Sequence, residues 1–131
     1  FNLTDQNGRS VGRDDLAEER LRAALEVDPQ SAAVNHALGL TLVRSNSLDE
    51  ALGHLRLAAE VSPEDARYLY VYAVALESSG KLREAIEILT SGYERHSGNP
   101  DIITALASYH MKLGDQEKAR EYLGKLKALE Q

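Results

Sequence analysis

Residues 48–58 read Leu-Asp-Glu-Ala-Leu-Gly-His-Leu-Arg-Leu-Ala, and residues 82–92 read Leu-Arg-Glu-Ala-Ile-Glu-Ile-Leu-Thr-Ser-Gly. Leu48, Ala51, Leu52 and Leu55 of the first stretch return at one constant offset as Leu82, Ala85, Ile86 and Leu89. Each set has the spacing of a helix with one apolar face. The period runs on in both directions. Ala17, Ala51, Ala85 and Ala119 are separated by that same interval, and each has a leucine at i+4: Leu21, Leu55, Leu89 and Leu123. A period of about 34 residues, held without drift, marks stacked supersecondary units rather than one closed core.

Other phases keep the same register. Leu38-Gly39, Tyr72-Ala73 and Leu106-Ala107 are spaced by one period, as are Gly12, Asn46, Gly80 and Gly114. Pro29 and Pro63 share a phase in which the next copy has Ser97, and Ala24, Ala58 and Gly92 share another. In each copy a first helix carries Val34, Leu38, Leu42, or Leu69, Tyr72, Leu76, or Ile103, Leu106, His110 at helical spacing. Ser47-Leu-Asp-Glu50 has the capping-box spacing and Asp115 is placed as an N-cap. Asp28-Pro29, Ser62-Pro63 and Asn99-Pro100 each set a capping side chain before a proline suited to a first helical turn. Gly80 and Gly114 suit the left-handed position that ends a helix. Small residues at 39, 73 and 107, facing the alanines of the second helix, let the two backbones approach closely.

These residues resemble the tetratricopeptide repeat in period, in helix–turn–helix form, in the Leu-Gly or Tyr-Ala pair of the first helix, in Ala then Leu in the second, and in Pro at the junction. The resemblance covers residues 14–129 and implies an all-α, right-handed α-solenoid of antiparallel helix pairs, about seven helices in one domain over residues 1–131. Residues 1–31 form a partial repeat, and 32–65, 66–99 and 100–131 are full repeats. The aromatic that the family carries early in the first helix is missing, with Asn35, Leu69 and Ile103 in its phase. Residues 1–12 read either as the end of a first helix, through Asn2-Leu3-Thr4-Asp5, or as an irregular polar tail around Gln6-Asn7-Gly8-Arg9-Ser10. The chain is expected to be a fragment of a longer protein that begins within a repeat. At the other end Leu126 replaces the small residue of Ala24, Ala58 and Gly92, which is read as the array's end.

Composition restricts the chemistry. The net charge of −6 and pI near 5.2 argue against nucleic acid as a partner, which needs a basic surface. With no cysteine, disulfides, thiolate metal sites and cysteine nucleophiles are excluded. No apolar run reaches the roughly 18 residues of a membrane span, so no membrane insertion is expected. His36, His54, His96 and His110 lack the i+3 or i+4 partners of a helical metal site. His110 stands where other copies have Leu42 or Leu76, so a packed, partly buried ring is expected. Asp14-Asp15, Glu18-Glu19 and Asp49-Glu50 fall in first turns, where they complement the helix dipole. No enzyme activity, cofactor or metal is called for. A soluble protein is expected, with the cytoplasm as the favoured compartment.

In the family, partners lie along the concave face built by the first helices. Transferred by phase, this face carries His36, Ala37, Leu40, Val43 and Arg44, then Arg67, Tyr70, Val71, Val74 and Glu77, then Asp101, Thr104, Ala105, Ser108, Met111 and Lys112. Leu40, Tyr70, Val71 and Val74 supply apolar anchors, while Arg44, Arg67, Glu77 and Lys112 orient the partner. Tyr70 reads equally as padding between helices. The carboxylate clamp of chaperone-binding members needs Lys, Asn and Arg. Those phases hold His36, Leu40, Val71, Asp101 and Ala105 in one register, or Asn2, Gln6, Ala37, Arg67 and Val71 in the other. Neither reproduces it. The expected function is a noncatalytic scaffold that binds a protein or peptide segment in its groove. One alternative is an accessory domain of a larger enzyme or electron carrier, since residues 66–76 are similar to repeats found beside c-type haem domains. Another is self-association into a homo-oligomer through the terminal helices.

Overall fold

The computed structural model describes Leu3, Thr4, Ser10, Val11 and residues 13–131, with side chains from Asp15 onward. Leu3–Thr4 (β1) and Ser10–Val11 (β2) pair antiparallel, Leu3 opposite Val11 and Thr4 opposite Ser10. Leu3 and Thr4 are therefore extended and do not end a first helix; the polar stretch from Gln6 to Arg9, and Gly12, lie outside the described residues. Seven helices follow among the described residues: α1 (Arg13–Val27), α2 (Ala32–Arg44), α3 (Leu48–Val61), α4 (Ala66–Ser78), α5 (Leu82–Arg95), α6 (Pro100–Leu113) and α7 (Gln116–Leu129). They fall into two compact units, residues 1–61 and 62–131. Each unit is a stack of helices of α-solenoid type, the expected class.

The helix ends follow the repeat phases. Asn46, Gly80 and Gly114 all have positive φ, at 63°, 80° and 91°. After each, two bonds close the helix. Asn46 N donates to Val43 O and Ser47 N to Leu42 O; Gly80 N donates to Glu77 O and Lys81 N to Leu76 O; Gly114 N donates to Met111 O and Asp115 N to His110 O. This is the paired 5→2 and 6→1 closure that satisfies the last carbonyls, and it needs a residue tolerant of the left-handed region.

The helix starts only partly match expectation. Asn99 Oδ1 accepts from Ile102 N at 3.1 Å with Pro100 in the first turn, and Asp115 Oδ1 accepts from Lys118 N at 3.1 Å. However, α2 is capped by Ser31, whose hydroxyl accepts from Val34 N at 3.2 Å, and α4 by Asp65, whose carboxylate accepts from Arg67 N at 3.0 Å. Pro29 and Pro63 precede these caps. They sit at the second position of turns closed by Ser31 N to Asp28 O and Asp65 N to Ser62 O, where a fixed φ is pre-set. Asn99 N to His96 O closes the third turn, with Ser97 in the proline phase.

Within the first unit α2 packs on both α1 and α3. Its core holds Leu38, Leu42 and Ala51, flanked by Leu21 and Leu25. Gly39 is the closest approach: a Cβ there would lie 2.5 Å from Leu55 Cδ2 and 2.6 Å from its Cγ. Within the second unit α5 packs on α4 and α6, and α7 on α6. A Cβ on Gly92 would lie 2.6 Å from both methyls of Leu69. Leu69 belongs to the same helix pair, so the small residue at this phase admits its own partner helix. Leu126 is half-buried on α7, and Ile103, in the Leu69 phase, is buried on α6.

Candidate functional site

The residues expected on the partner-binding face do not share one environment. In the first unit, Val43 and Arg44 are exposed and Leu40 is half-buried, with Arg44 Nη2 donating to Thr41 Oγ1 at 3.2 Å. His36 is an exception. It is only 7% exposed, because α2 is flanked by both α1 and α3, so the ring at this position lies inside the stack and not on an open face.

In the second unit α4 and α6 are neighbours. Lys112 Nζ on α6 donates to Glu77 Oε1 on α4 at 2.9 Å. The two residues expected to orient a partner are thus paired with each other across the helices. Tyr109 on α6 is 7% exposed. Burial, with the charges of Glu77 and Tyr70 added, pushes its phenol from the ordinary 10.0 up to about 12. Glu77 therefore faces α6, and Tyr70 is half-buried on α4. Val71 and Val74 remain half-buried on α4, and Arg67 is exposed at its start. Thr104, Ser108, Met111 and Lys112 of α6 are exposed. Together with Ala107 and Leu123 of α7 they line a depression of about 400 Å³.

The Tyr109 environment has a pH signature. A phenol kept neutral in the fold contributes stability that is complete below pH 10, where the unfolded side chain is also protonated. It is lost as pH rises from 10 through about 12. On the order of 2 kcal/mol is at stake for such a shift. Alkaline denaturation followed by circular dichroism should show Tyr109→Phe losing less stability than wild type between pH 10 and 12. Equal losses would show that another group governs this window.

Two polar clusters lay beyond the reading of phases. Asn35, 1% exposed, donates from Nδ2 to Pro29 O at 3.0 Å and Ser31 O at 2.9 Å. Its Oδ1 is thereby left as acceptor for His54 Nδ1 at 2.9 Å. The slot is filled by Leu69 and Ile103 in the other copies, and that polar exchange was the available signal. Second, His110 is buried as expected, and stacks on Tyr122 with centroids 5.7 Å apart and planes 11° off parallel. Tyr122 meets Tyr93 edge-on at 5.7 Å, so aromatic rings link α5, α6 and α7. The distance from His110 Nδ1 to Asp115 Oδ2 is 3.9 Å. Asp49 and Glu50 occupy the first turn of α3 as expected, and Glu50 also pairs with Arg22 of α1 at 2.8 Å.

Among the described residues no three His, Asp or Glu side chains are grouped as a metal would need, and no helix is long and apolar enough to cross a membrane. The chain matches a tetratricopeptide repeat model over residues 10–60 and 36–100, and a second model of the same description over 76–131. No curated protein matches it in sequence. Among solved structures it is similar to MamA AMB-1, with 27% identity and a TM-score of 0.74, covering 88% of this chain and 68% of that one. For MamA MSR-1 the values are 26% and 0.76, covering 91% and 68%. Another MamA crystal structure, at 21% identity and a TM-score of 0.83 over 92% and 70%, shares the fold. With family models matching from residue 10 to residue 131, the chain belongs to the tetratricopeptide repeat family.

Proposed function

We propose that this protein is a noncatalytic scaffold that captures an extended or helical segment of a partner protein on the first helices of its repeats. The observation carrying this reading is the alignment of α4 with α6 through the 2.9 Å Glu77–Lys112 pair. On these two helices Val71 and Val74 of α4 are half-buried, Ser108 and Thr104 of α6 are exposed, and Arg67 is exposed at the start of α4. Half-buried aliphatic side chains rimmed by polar ones are what a groove for a peptide or helix requires. Val71 and Val74 supply apolar contact, and Arg67 supplies an orienting charge. In the first unit the corresponding patch is Leu40, Val43 and Arg44.

The test uses residues that do not hold the helices together. A variant combining Arg67→Glu and Val71→Glu, with wild-type circular dichroism, should lose the proteins that the immobilised wild type captures from a native lysate. Capture of the same proteins by this folded variant would sink the groove reading. Tyr70→Ala is less suited, since Tyr70 is half-buried and its loss would act on stability as well as on binding.

A further inference from the structure

His110 and Asp115 are two departures from the repeat that fall in one copy. The phase of His110 holds Leu42 and Leu76 in the other copies, and that of Asp115 holds Ser47 and Lys81. The structure brings the two together at the turn between α6 and α7, where Asp115 acts in three ways. Its N–H donates to His110 O at 2.8 Å and closes α6. Its Oδ1 accepts from Lys118 N at 3.1 Å and caps α7. Its Oδ2 lies 3.9 Å from His110 Nδ1. That nitrogen is buried without a hydrogen-bond partner, on a side chain that is 11% exposed. A buried polar atom left unmade costs stability, and leucine, found at this phase elsewhere, would carry no such cost.

We propose that His110 and Asp115 form a proton-operated latch on the α6–α7 turn. A proton taken up by the imidazole gives Nδ1–H the carboxylate as its partner and ties the end of one helix to the start of the next. Closing from 3.9 Å to a charge-assisted bond of about 2.8 Å needs a movement of about 1 Å, which a side-chain rotation supplies. Three features favour the imidazolium. Asp115 Oδ2 is spare, because the cap bond uses Oδ1. His110 lies in the last turn of α6, where the helix dipole attracts a cation. Tyr122 is stacked on it with centroids 5.7 Å apart, within the range at which an aromatic face holds a cation. Burial opposes the charged form, and carboxylate, dipole and ring face act together against it. The other charged groups around the ring are engaged elsewhere. On α7, Lys118 Nζ pairs with Glu121 and Lys125 lies over the Tyr93 ring of α5. Helix α4 meets α6 through Glu77, which is held by Lys112 of α6. Asp115 is 42% exposed, so solvent reaches the pair from its side.

The test is a double-mutant cycle in the full chain, combining His110→Leu with Asp115→Asn. Urea denaturation is followed at about pH 7.5 and about pH 5.5, the interval in which histidine ordinarily changes charge. Leucine stands at this phase in the other copies, and asparagine caps a helix as well as aspartate does. Each exchange therefore removes a charge while keeping the packing or the cap. His36, His54 and His96 are common to all four proteins, so the cycle cancels them. The coupling between the two exchanges should change the folding equilibrium constant about fivefold at the lower pH and less than about twofold at the higher. Equal coupling at both, or stronger coupling at the higher pH, would overturn the latch, since the contact would then belong to the neutral ring. Amide hydrogen exchange gives a second reading that does not depend on His110→Leu folding. Corrected for intrinsic rates, protection of the Lys118 amide should rise on acidification about threefold more in wild type than in Asp115→Asn. The same change in both proteins would count against the latch equally.

Discussion

Leu55→Ala is expected to destabilise the protein by about 3–4 kcal/mol, the range for deleting a leucine side chain from a packed core that only partly collapses. Leu55 is fully buried, and it presses on the one place where α2 and α3 touch through a bare backbone. Gly39 is there for that leucine. A methyl at position 39 would come within 2.5 Å of it and 3.4 Å of Ala51 O. Helix propensity alone favours alanine over glycine at an interior position by roughly 1 kcal/mol. The clash has the larger magnitude, because Leu55 Cγ, not just a methyl end, is too close, and overpacking of this kind costs about 1–3 kcal/mol. Gly39→Ala alone should therefore lower the urea midpoint. In the Leu55→Ala background the clash is gone and part of the cavity is filled, so the same change should become stabilising. Urea denaturation of the four proteins measures the coupling directly. Additive effects would show that position 39 is chosen for something other than room for Leu55.

That close approach was legible because it depends on local rules that repeat. A small residue opposite a leucine, and a left-handed residue at the end of each first helix, recur once in every period, so each copy supports the reading of the others. The same argument located Asn46 beside Gly80 and Gly114. It worked less well wherever two accounts predict the same spacing. Pro29 and Pro63 fit both a first helical turn and the turn before it, and only the bonds to Asp28 O and Ser62 O decide between them. Gly92 fits both packing within a pair and packing onto a following copy, and only the structure shows that its nearest neighbour is Leu69 of its own pair. The candidate face was less legible still. A phase tells which side of a helix a residue occupies but not what covers that side. His36, Tyr70 and Thr104 share one phase, and they are respectively buried, half-buried and exposed. Their exposure depends on neighbouring helices, which a single-repeat pattern does not contain.

Asn35→Leu should cost about 2 kcal/mol even though it restores the apolar residue that Leu69 and Ile103 supply in the other copies, because the hydrogen bonds of a fully buried amide are lost. The expected gain from an added aliphatic side chain at a fully buried position is real but limited, since the slot is already filled by a side chain of similar volume. Against it stand three hydrogen bonds. The amide of Asn35 donates to Pro29 O and Ser31 O, and its oxygen accepts from His54 Nδ1. Ser31 O keeps a second donor in Asn35 N, which survives the exchange. Pro29 O and the His54 ring lose the partners that Asn35 gives them. A polar group left without its partner costs about 1–3 kcal/mol where water does not reach it, and less at the exposed Pro29 and the partly exposed His54. Removing both ends of an interaction is gentler than removing one, so Asn35→Leu combined with His54→Leu should recover part of the loss. It should not recover all of it, because Pro29 O still lacks its donor. The local consequence is also specific. The Asn35 amide joins the turn at Pro29 to helices α2 and α3, so amide hydrogen exchange should accelerate at Gln30 and Ser31 ahead of the rest of the first unit. Uniform acceleration across that unit, or a stability at or above wild type, would mean that the amide is merely tolerated at this position and that the leucine found in the next repeat serves as well.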